Sequence, residues 1–201
     1  MDPTLFYPRP YAESRAALGL PETTPLILSA GGLGPGKGHH LILQALPSLL
    51  QRHPNLQFWL AGGVTRDGRY DAEIRSLISR LQLGANVRLL GPQPPERLAT
   101  LMSAADVFAL ASFAEGWPNV VHEALACGAP VVATRVGAIP QMLAGAHLGF
   151  IVPPGDAAAV ADALARALAR PWDRAAISAH GRARTWQTVA LELASVIRNA
   201  L

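Results

Sequence analysis

Short apolar runs alternate with segments whose apolar residues recur at helical spacing over most of this chain. Each run is rich in Val, Leu and Ile and is bounded by Gly, Pro or polar residues, which is typical of a buried strand. The predicted strands cover residues 25–30, 57–61, 87–90, 107–111, 130–134 and 149–152. The predicted helices cover residues 39–52, 70–81, 95–103, 119–127, 139–143 and 156–168. This alternation predicts an α/β fold with a doubly wound, mostly parallel six-stranded sheet and helices on both faces.

The two ends of the chain differ from this alternating core. Residues 1–24 are rich in proline and have no repeating apolar pattern, which predicts a linker or strap with a short helix at 11–18. Residues 185–201 are predicted to form an amphipathic helix that docks on the domain formed by residues 25–184. Its apolar stripe consists of Trp186, Val189, Leu193, Val196 and Ile197.

The composition fits one ordinary soluble domain, with 201 residues of which 50% are hydrophobic and 6% aromatic. The formal charge is +3, but the basic residues are scattered, so a nucleic-acid partner is not expected. We find no apolar run of membrane-spanning length and no leader pattern, so we expect a cytoplasmic protein with at most peripheral contact at the inner face of the membrane. Cys127 is the only cysteine, which excludes an internal disulfide and makes a core-filling role the simplest. No spacing of His, Cys and acids suggests a metal site.

Four glycine-rich or polar loops follow the first four predicted strands. They are the glycine-rich loop 31–38, the pair Gly62 and Gly63, the pair Gly91 and Pro92, and residues 112–118. In a parallel sheet the carboxyl ends of the strands lie at one edge, where ligands bind. The sequence therefore predicts a binding site built from these loops.

Two carboxylates flank the start of the helix predicted at 119–127, with Glu115 before it and Glu123 inside it. Carboxylates can accept hydrogen bonds from sugar hydroxyls, and the first turn of a helix offers unpaired N–H groups and a positive dipole end to a phosphate. This pairing suggests a sugar nucleotide. An isolated Glu on a helix is often just a solvated surface residue, but Glu123 lies among apolar residues that indicate a buried helix.

Lys37 is the only lysine among seventeen basic residues, and it lies inside the glycine-rich loop. A compact ammonium can act as a point charge against a phosphate, whereas Arg needs room for its planar group. A solvated loop lysine is the alternative. The neighbouring His39 and His40 could help to bind phosphate, although a solvated position at the helix start is the expectation that we favour.

Several stretches together resemble the family 4 (group 1) glycosyltransferases, specifically the C-terminal, donor-binding half of their two-domain GT-B architecture. The resemblance spans about residues 26–168 and implies a Rossmann-like single domain of a GT-B glycosyltransferase. The stretches are Lys37-Gly38-His39 with the preceding strand, Ala61-Gly62-Gly63, and residues 87–91, 105–107, 112–126, 128–134 and 149–156.

The resemblance implies a retaining transfer of a sugar from a UDP- or GDP-linked donor to a glycan, lipid or small-molecule acceptor, as in polysaccharide biosynthesis, without metal or cofactor. It also implies an N-terminal acceptor-binding domain, supplied in cis or in trans. Lys37 and Glu115 are the implied catalytic residues, which hold the diphosphate and the sugar hydroxyls, and Glu123 would hold the ribose. The full implied binding set is Gly34, Gly36, Lys37, Gly62, Gly63, Leu90, Gly91, Pro92, Glu115, Gly116, Trp117, Pro118, Asn119, Val120 and Glu123. Trp117 would either cover the donor sugar or anchor its loop.

Two departures from the family pattern lower the expected activity of this chain alone. Gly32 stands where the family usually has an Arg that joins the lysine in neutralising the diphosphate. The acceptor-binding domain, which also supplies active-site residues in the family, is not in this sequence. The isolated chain is therefore predicted to transfer sugar weakly or not at all.

Three other classes of protein deserve comparison. A non-catalytic sugar-nucleotide-binding or partner-stabilising subunit would share the pocket but show no turnover. A P-loop NTPase matches Gly31, Gly36 and Lys37, but Gly38 replaces the Ser or Thr that would bind magnesium. A dinucleotide-binding module is disfavoured because no register of the loop gives its glycine pattern.

Overall fold

The computed structural model describes residues 1–64 and 68–200, without the side chains of residues 192–196, 199 and 200. This part of the chain contains one sheet of six parallel strands in the order β3-β2-β1-β4-β5-β6. The strands are β1 (Leu26–Ala30), β2 (Gln57–Ala61), β3 (Val87–Gly91), β4 (Val107–Leu110), β5 (Val131–Thr134) and β6 (Gly149–Val152). The predicted fold class is confirmed, and each strand begins and ends within a residue of its prediction.

Helices connect the strands and cover both faces of the sheet. They are α1 (Tyr11–Ala17), α2 (His39–Leu50), α3 (Arg69–Arg80), α4 (Pro95–Ala104), α5 (Asn119–Ala126), α6 (Ile139–Met142), α7 (Ala157–Ala169), α8 (Arg174–Arg182) and α9 (Trp186–Ala200). A short 3-10 turn, Pro35–Lys37, precedes α2. Helix α8 was not predicted. Its capping residue is Asp173, whose side chain accepts a hydrogen bond from the Ala176 N–H.

The sheet separates two apolar cores. All five residues of β1 are buried; Leu26, Leu28 and Ala30 belong to one core and Ile27 to the other. Because successive strand residues point to opposite faces, a strand covered on both sides is apolar at nearly every position. This explains why the sequence shows continuous apolar runs rather than alternating ones.

The strand order reverses between β1 and β4, which lie side by side at the centre of the sheet. Chain segments that leave these two strands turn to opposite sides and open a crevice at their carboxyl ends. Ligands of open α/β sheets bind at such a switch point. The loop after β1 carries Lys37 and the loop after β4 carries Glu115, so the two predicted catalytic residues flank this crevice.

The N-terminal segment packs closely against the rest of the domain. Met1, Phe6 and Leu20 are buried in the same core as Leu26, and the wholly buried Arg15 forms an ion pair with Asp106 at 3.3 Å. Residues 1–24 therefore contribute to the packing of this domain. Their assignment as an interdomain linker stays a prediction.

Helix α9 leaves two residues of the predicted apolar stripe exposed. Trp186 is 57% exposed and Ile197 is 52% exposed, so the docking prediction is wrong for these two side chains. Helix α8 packs on α5, and its Ile177 is wholly buried. The side chains of Leu193 and Val196 lie outside the described residues. No helix in the described part of the chain is both long and apolar enough to cross a membrane.

Candidate functional site

Lys37 and Glu115 meet at the switch point. Lys37 ends the 3-10 turn after β1, and Glu115 lies in the loop between β4 and α5. The lysine Nζ lies 2.7 Å from Oε1 of Glu115, with the side chains 37% and 10% exposed respectively. A cation and a carboxylate therefore stand together at the mouth of the crevice, each within reach of a bound ligand.

The same carboxylate has a second partner that the sequence analysis assigned no role. The Ser112 hydroxyl donates to Oε1 of Glu115 at 2.7 Å, and the Thr134 hydroxyl donates to the Ser112 carbonyl at 2.6 Å. Ser112 comes two residues after the buried end of β4, in a loop already predicted for the site. Its place in this loop was the only feature of the sequence that could have indicated a role for Ser112.

Backbone hydrogen bonds join the predicted loops into one continuous edge. Each bond links an N–H of one loop to a carbonyl of the next, at 2.8 to 2.9 Å. The donor and acceptor pairs are Leu33 and Gly63, Gly62 and Gly91, Phe113 and Gly36, and Ala138 and Gly116. Gly62 packs so closely on Gly31 that a Cβ on Gly62 would lie 1.7 Å from the Gly31 carbonyl oxygen. The predicted positions Gly36, Gly62, Gly63, Gly91 and Gly116 thus lie on one surface, and the loop after β5 joins them.

Helix α5 presents its N-terminus to this edge. Asn119 and Val120 are its first two residues, and N–H groups there have no acceptor within a helix. The helix begins at Asn119, as predicted, with Pro118 as the capping residue, and no side chain caps it. The first turn of α5 can therefore donate to an anion.

Glu123 lies one turn inside α5 and is half-buried. Burial raises the pKa of its carboxyl, and the positive charge of the Met1 amino group partly opposes that rise. Within the described residues its carboxylate has no hydrogen bond and no ion pair, so the structure does not bring it into contact with Lys37 or Glu115. It remains an acceptor for a ligand.

The glycine-rich loop offers fewer N–H donors than its composition suggested. The N–H groups of Leu33, Gly34, Lys37 and Gly38 are all hydrogen-bonded to nearby carbonyls. These four N–H groups are therefore already used by the protein, and the Lys37 ammonium is the main group of this loop for binding an anion. Gly32 is exposed, and a Cβ built on it would meet its nearest atom, the Gly63 carbonyl oxygen, at 3.9 Å.

His39 is wholly buried, so the expectation of a solvated histidine at the helix start is wrong. Its Nε2 lies 3.3 Å from the Gly32 carbonyl and its Nδ1 lies 3.4 Å from the Ser29 hydroxyl. Because a carbonyl only accepts, Nε2 carries the proton. Burial lowers the pKa of His39 to about 4. The buried ring thus contacts the carbonyl of Gly32 in the glycine-rich loop and the hydroxyl of Ser29 in β1.

Trp117 contacts the protein on the side of α8. Its ring meets the His122 ring edge-on at 6.1 Å between centroids, and the Arg184 guanidinium lies 5.3 Å from its centroid. These residues border a cavity of about 230 Å³ with Met142 and His180. Of the two roles left open for Trp117, these contacts favour the anchoring of its loop.

No cluster of three or more metal-ligating side chains occurs within residues 1–64 and 68–200. Cys127 is buried, and burial raises the pKa of its thiol to about 12, so it is a poor nucleophile at neutral pH. The side chains that this α/β domain gathers at the ligand edge are one cation and two carboxylates, beside a helix N-terminus. Groups of this kind can bind a phosphate and hydroxyls.

The comparisons with known proteins identify the family. Residues 11–184 match the glycosyl transferases of group 1, and the chain belongs to this family. The resemblance stated from the motifs is thereby confirmed.

The curated relatives are longer than this chain. D-inositol 3-phosphate glycosyltransferase of Corynebacterium efficiens is 34% identical over 193 residues, which cover 93% of this chain and 46% of that protein. The protein of the same name from Saccharomonospora viridis is 35% identical over 205 residues, 98% of this chain and 48% of that protein. This chain thus spans about half the length of the curated relatives it matches.

Solved structures show the same fold. Sucrose-phosphate synthase from Thermosynechococcus elongatus superposes with a TM-score of 0.85 at 33% identity, over 100% of this chain and 51% of that one. HepE from Anabaena, in complex with UDP and glucose, superposes with a TM-score of 0.73 at 26% identity, over 97% of this chain and 55% of that one.

Proposed function

We propose that this chain is the donor-binding part of a glycosyltransferase that takes a sugar from a nucleoside diphosphate sugar. The observation that carries the proposal is the pair formed by Lys37 and Glu115, 2.7 Å apart at the switch point and beside the open N-terminus of α5. A donor of this class presents a diphosphate and a ring of hydroxyls next to each other. The site offers cationic and N–H donors next to carboxylate acceptors.

Each group has a role in the proposed chemistry. The acceptor hydroxyl oxygen forms the new bond to the anomeric carbon as the bond from that carbon to the diphosphate breaks. The electron pair of the broken bond goes to the leaving phosphate oxygen, which takes up the proton of the acceptor hydroxyl. The Lys37 ammonium and the N–H groups of Asn119 and Val120 stabilise that charge, and loss of one such donor commonly raises a barrier by ~3 kcal/mol. Glu115 accepts from sugar hydroxyls and Glu123 from the ribose. We further propose that the anomeric configuration is retained, as the family resemblance implies.

Uracil is the base that we propose, because HepE was solved with UDP, with UDP and glucose, and with UDP-glucose. The base would lie against residues 90–92 at the end of β3, where the backbone is bonded to Gly62. We propose no particular acceptor from the names of the curated relatives. This chain matches about half of each, and acceptor binding is proposed for a further domain, in cis or in trans.

Calorimetric titration with UDP, GDP, ADP and their glucose or mannose conjugates tests donor binding. We expect selective binding that is weakened in both Lys37→Ala and Glu123→Ala. If none of the nucleotides binds, the proposal is contradicted and a partner-stabilising subunit is favoured. The Gly at position 32, where the family usually has an Arg, also favours that alternative.

Transfer itself requires the acceptor-binding domain. With a matched domain supplied, the coupling constant of the anomeric proton of the product in an NMR spectrum reports retention or inversion. Efficient transfer by the 201-residue chain alone would contradict the proposal that a further domain binds the acceptor.

A further inference from the structure

Ser112 has a buried hydroxyl that is used for one contact. The residue is 0% exposed, and its Oγ donates to Oε1 of Glu115 at 2.7 Å. A buried hydroxyl costs free energy unless it is hydrogen-bonded, and a bond to a carboxylate is stronger than one between neutral groups. Alanine would fill this position if packing alone mattered, so the hydroxyl is explained by its acceptor.

The backbone around this contact is held in place from the neighbouring strand. The buried Thr134, at the end of β5, donates to the Ser112 carbonyl at 2.6 Å. The Ala138 N–H donates to the Gly116 carbonyl at 2.9 Å, on the far side of Glu115. With both flanks fixed, the remaining freedom of Glu115 is the rotation of its own side chain.

The two hydrogen bonds to Glu115 end on the same carboxylate oxygen. Oε1 accepts from Ser112 and from Lys37, both at 2.7 Å. Within the described residues Oε2 has no hydrogen-bond partner. The carboxylate therefore has one oxygen committed to the protein and one that is available to a ligand.

We infer that Ser112 is a positioning residue, whose hydroxyl sets the rotation of the Glu115 carboxylate so that Oε2 is presented to hydroxyls of the donor sugar. This inference rests on the proposed function, because it assigns the sugar to Oε2. Ser112 itself does not touch the ligand. Its contribution is preorganisation, which lowers the cost of ordering the carboxylate when the sugar binds.

A double-mutant cycle without any ligand tests the contact. The equilibrium constant for unfolding in urea is compared among the wild-type chain, Ser112→Ala, Glu115→Ala and the double variant. We expect a coupling of about fivefold, which is typical of residues in direct contact. Additive effects would overturn the inference.

Titration with UDP and with UDP-glucose tests the positioning role. The quantity to compare is the ratio of the affinity for UDP-glucose to the affinity for UDP. Ser112→Ala is expected to leave the affinity for UDP within about twofold of the wild-type value and to lower this ratio about tenfold. Ser112→Thr retains a hydroxyl and should recover most of the loss. In a Glu115→Ala background, Ser112→Ala should have no further effect on this ratio, whereas a merely structural role would persist there.

The outcomes separate the two proposals. If the wild-type chain binds neither ligand, nor GDP and GDP-mannose, the proposed function fails and the sugar role of Ser112 fails with it. If the chain binds and the ratio is unchanged in Ser112→Ala, only the inference fails. Should Ser112→Ala not fold, Thr134→Val removes the donor that holds the Ser112 carbonyl and is expected to lower the same ratio. An unchanged ratio in that variant would overturn the inference.

Discussion

Nζ of Lys37 lies 2.7 Å from Oε1 of Glu115, although 78 residues separate them in the chain. They meet because β1 and β4 are neighbours in the sheet and the crossovers after them leave on opposite sides. The lysine keeps 37% of its side chain exposed, so it can reach a phosphate without leaving the carboxylate.

Replacing Lys37 by Ala is expected to weaken donor binding by roughly 10- to 100-fold, because a hydrogen bond to a charged group contributes about 1.5–3 kcal/mol. Calorimetric titration with UDP measures the change. Gly84→Ala is the control, since this residue lies outside the implied binding set and a Cβ there meets no atom within 4 Å. Equal losses in both variants would show that the effect does not come from the ammonium.

Replacing Gly32 by Arg is expected to strengthen diphosphate binding by about tenfold and to make it more sensitive to salt, because it adds a second cation. A Cβ at Gly32 meets only the Gly63 carbonyl oxygen, at 3.9 Å, and the position is exposed, so a side chain fits. Titrations of UDP at low and high salt measure both effects. Gly32→Gln is the uncharged control. A Gly32→Arg chain that binds no better than the control would argue that the diphosphate lies elsewhere.

The sequence predicted those parts of the site that depend on local pattern. Lys37 follows a buried strand in a glycine-rich loop, and Glu115 precedes a helix, so chain position alone placed both at the ligand edge. The strand order was not predicted, because parallel strands pair with partners distant in sequence. The Ser112 contact was missed for a similar reason, since it depends on the turn between β4 and Glu115.

Two other differences between the sequence-based expectations and the structure, at His39 and at α8, also have physical causes. His39 lies next to Gly38 at a helix start, which usually faces solvent, but the glycine-rich loop folds over it and buries it. Helix α8 has no long apolar stripe because Ile177 is its one large buried side chain, beside the small buried residues Ser178 and Gly181. A Cβ on Gly181 would lie 2.3 Å from the Ala126 nitrogen, so close approach replaces large side chains there.

Gly62→Ala is expected to destabilise the fold, because its Cβ would lie 1.7 Å from the Gly31 carbonyl oxygen and 2.6 Å from the carbonyl carbon. The loops after β1 and β2 would have to separate, at a cost of about 1–3 kcal/mol in the free energy of unfolding. Urea unfolding measures it. Gly84→Ala, where no atom lies within 4 Å, should be close to neutral. Two variants of equal stability would contradict the close packing of the loops.

Acid should destabilise the protein through His39 and His122. Burial lowers the pKa of each to about 4 in the folded chain, against an ordinary value near 6.5. The unfolded chain thus binds protons first as the pH falls. The contribution of these two histidines to the free energy of unfolding is therefore fully present above pH ~6.5, is lost between pH ~6.5 and ~4, and changes little below. His39 contributes up to ~3 kcal/mol of this loss, and the less completely buried His122 contributes less.

Urea unfolding at several pH values measures this dependence, and His39→Gln is the variant to compare. Without the titrating ring, the stability of this variant should fall less steeply over the same pH range. Identical slopes for the variant and the wild-type chain would show that His39 is not held neutral by burial.

Arg15 fixes the N-terminal segment to the sheet. Its wholly buried guanidinium donates to the Ala104 carbonyl and the Pro21 carbonyl, each at 2.9 Å, and lies 3.3 Å from Asp106. Arg15→Met would leave Asp106 and both carbonyls without this partner. Removing one member of a buried pair costs about 3–5 kcal/mol, and we expect the lower end because Asp106 is 29% exposed.

The comparison for this variant is Arg75→Met, which breaks the Arg75–Asp71 pair on the surface of α3, where Arg75 is 63% exposed. A surface pair one helical turn apart contributes about 0.3–0.5 kcal/mol, so the two substitutions should differ several-fold in the free energy of unfolding. Limited proteolysis gives a second readout, because residues 1–24 should become cleavable in Arg15→Met before the sheet unfolds. If Arg15→Met were as stable as Arg75→Met and equally resistant, the segment would be a loosely attached linker, and its burial would contribute nothing to the stability of this domain.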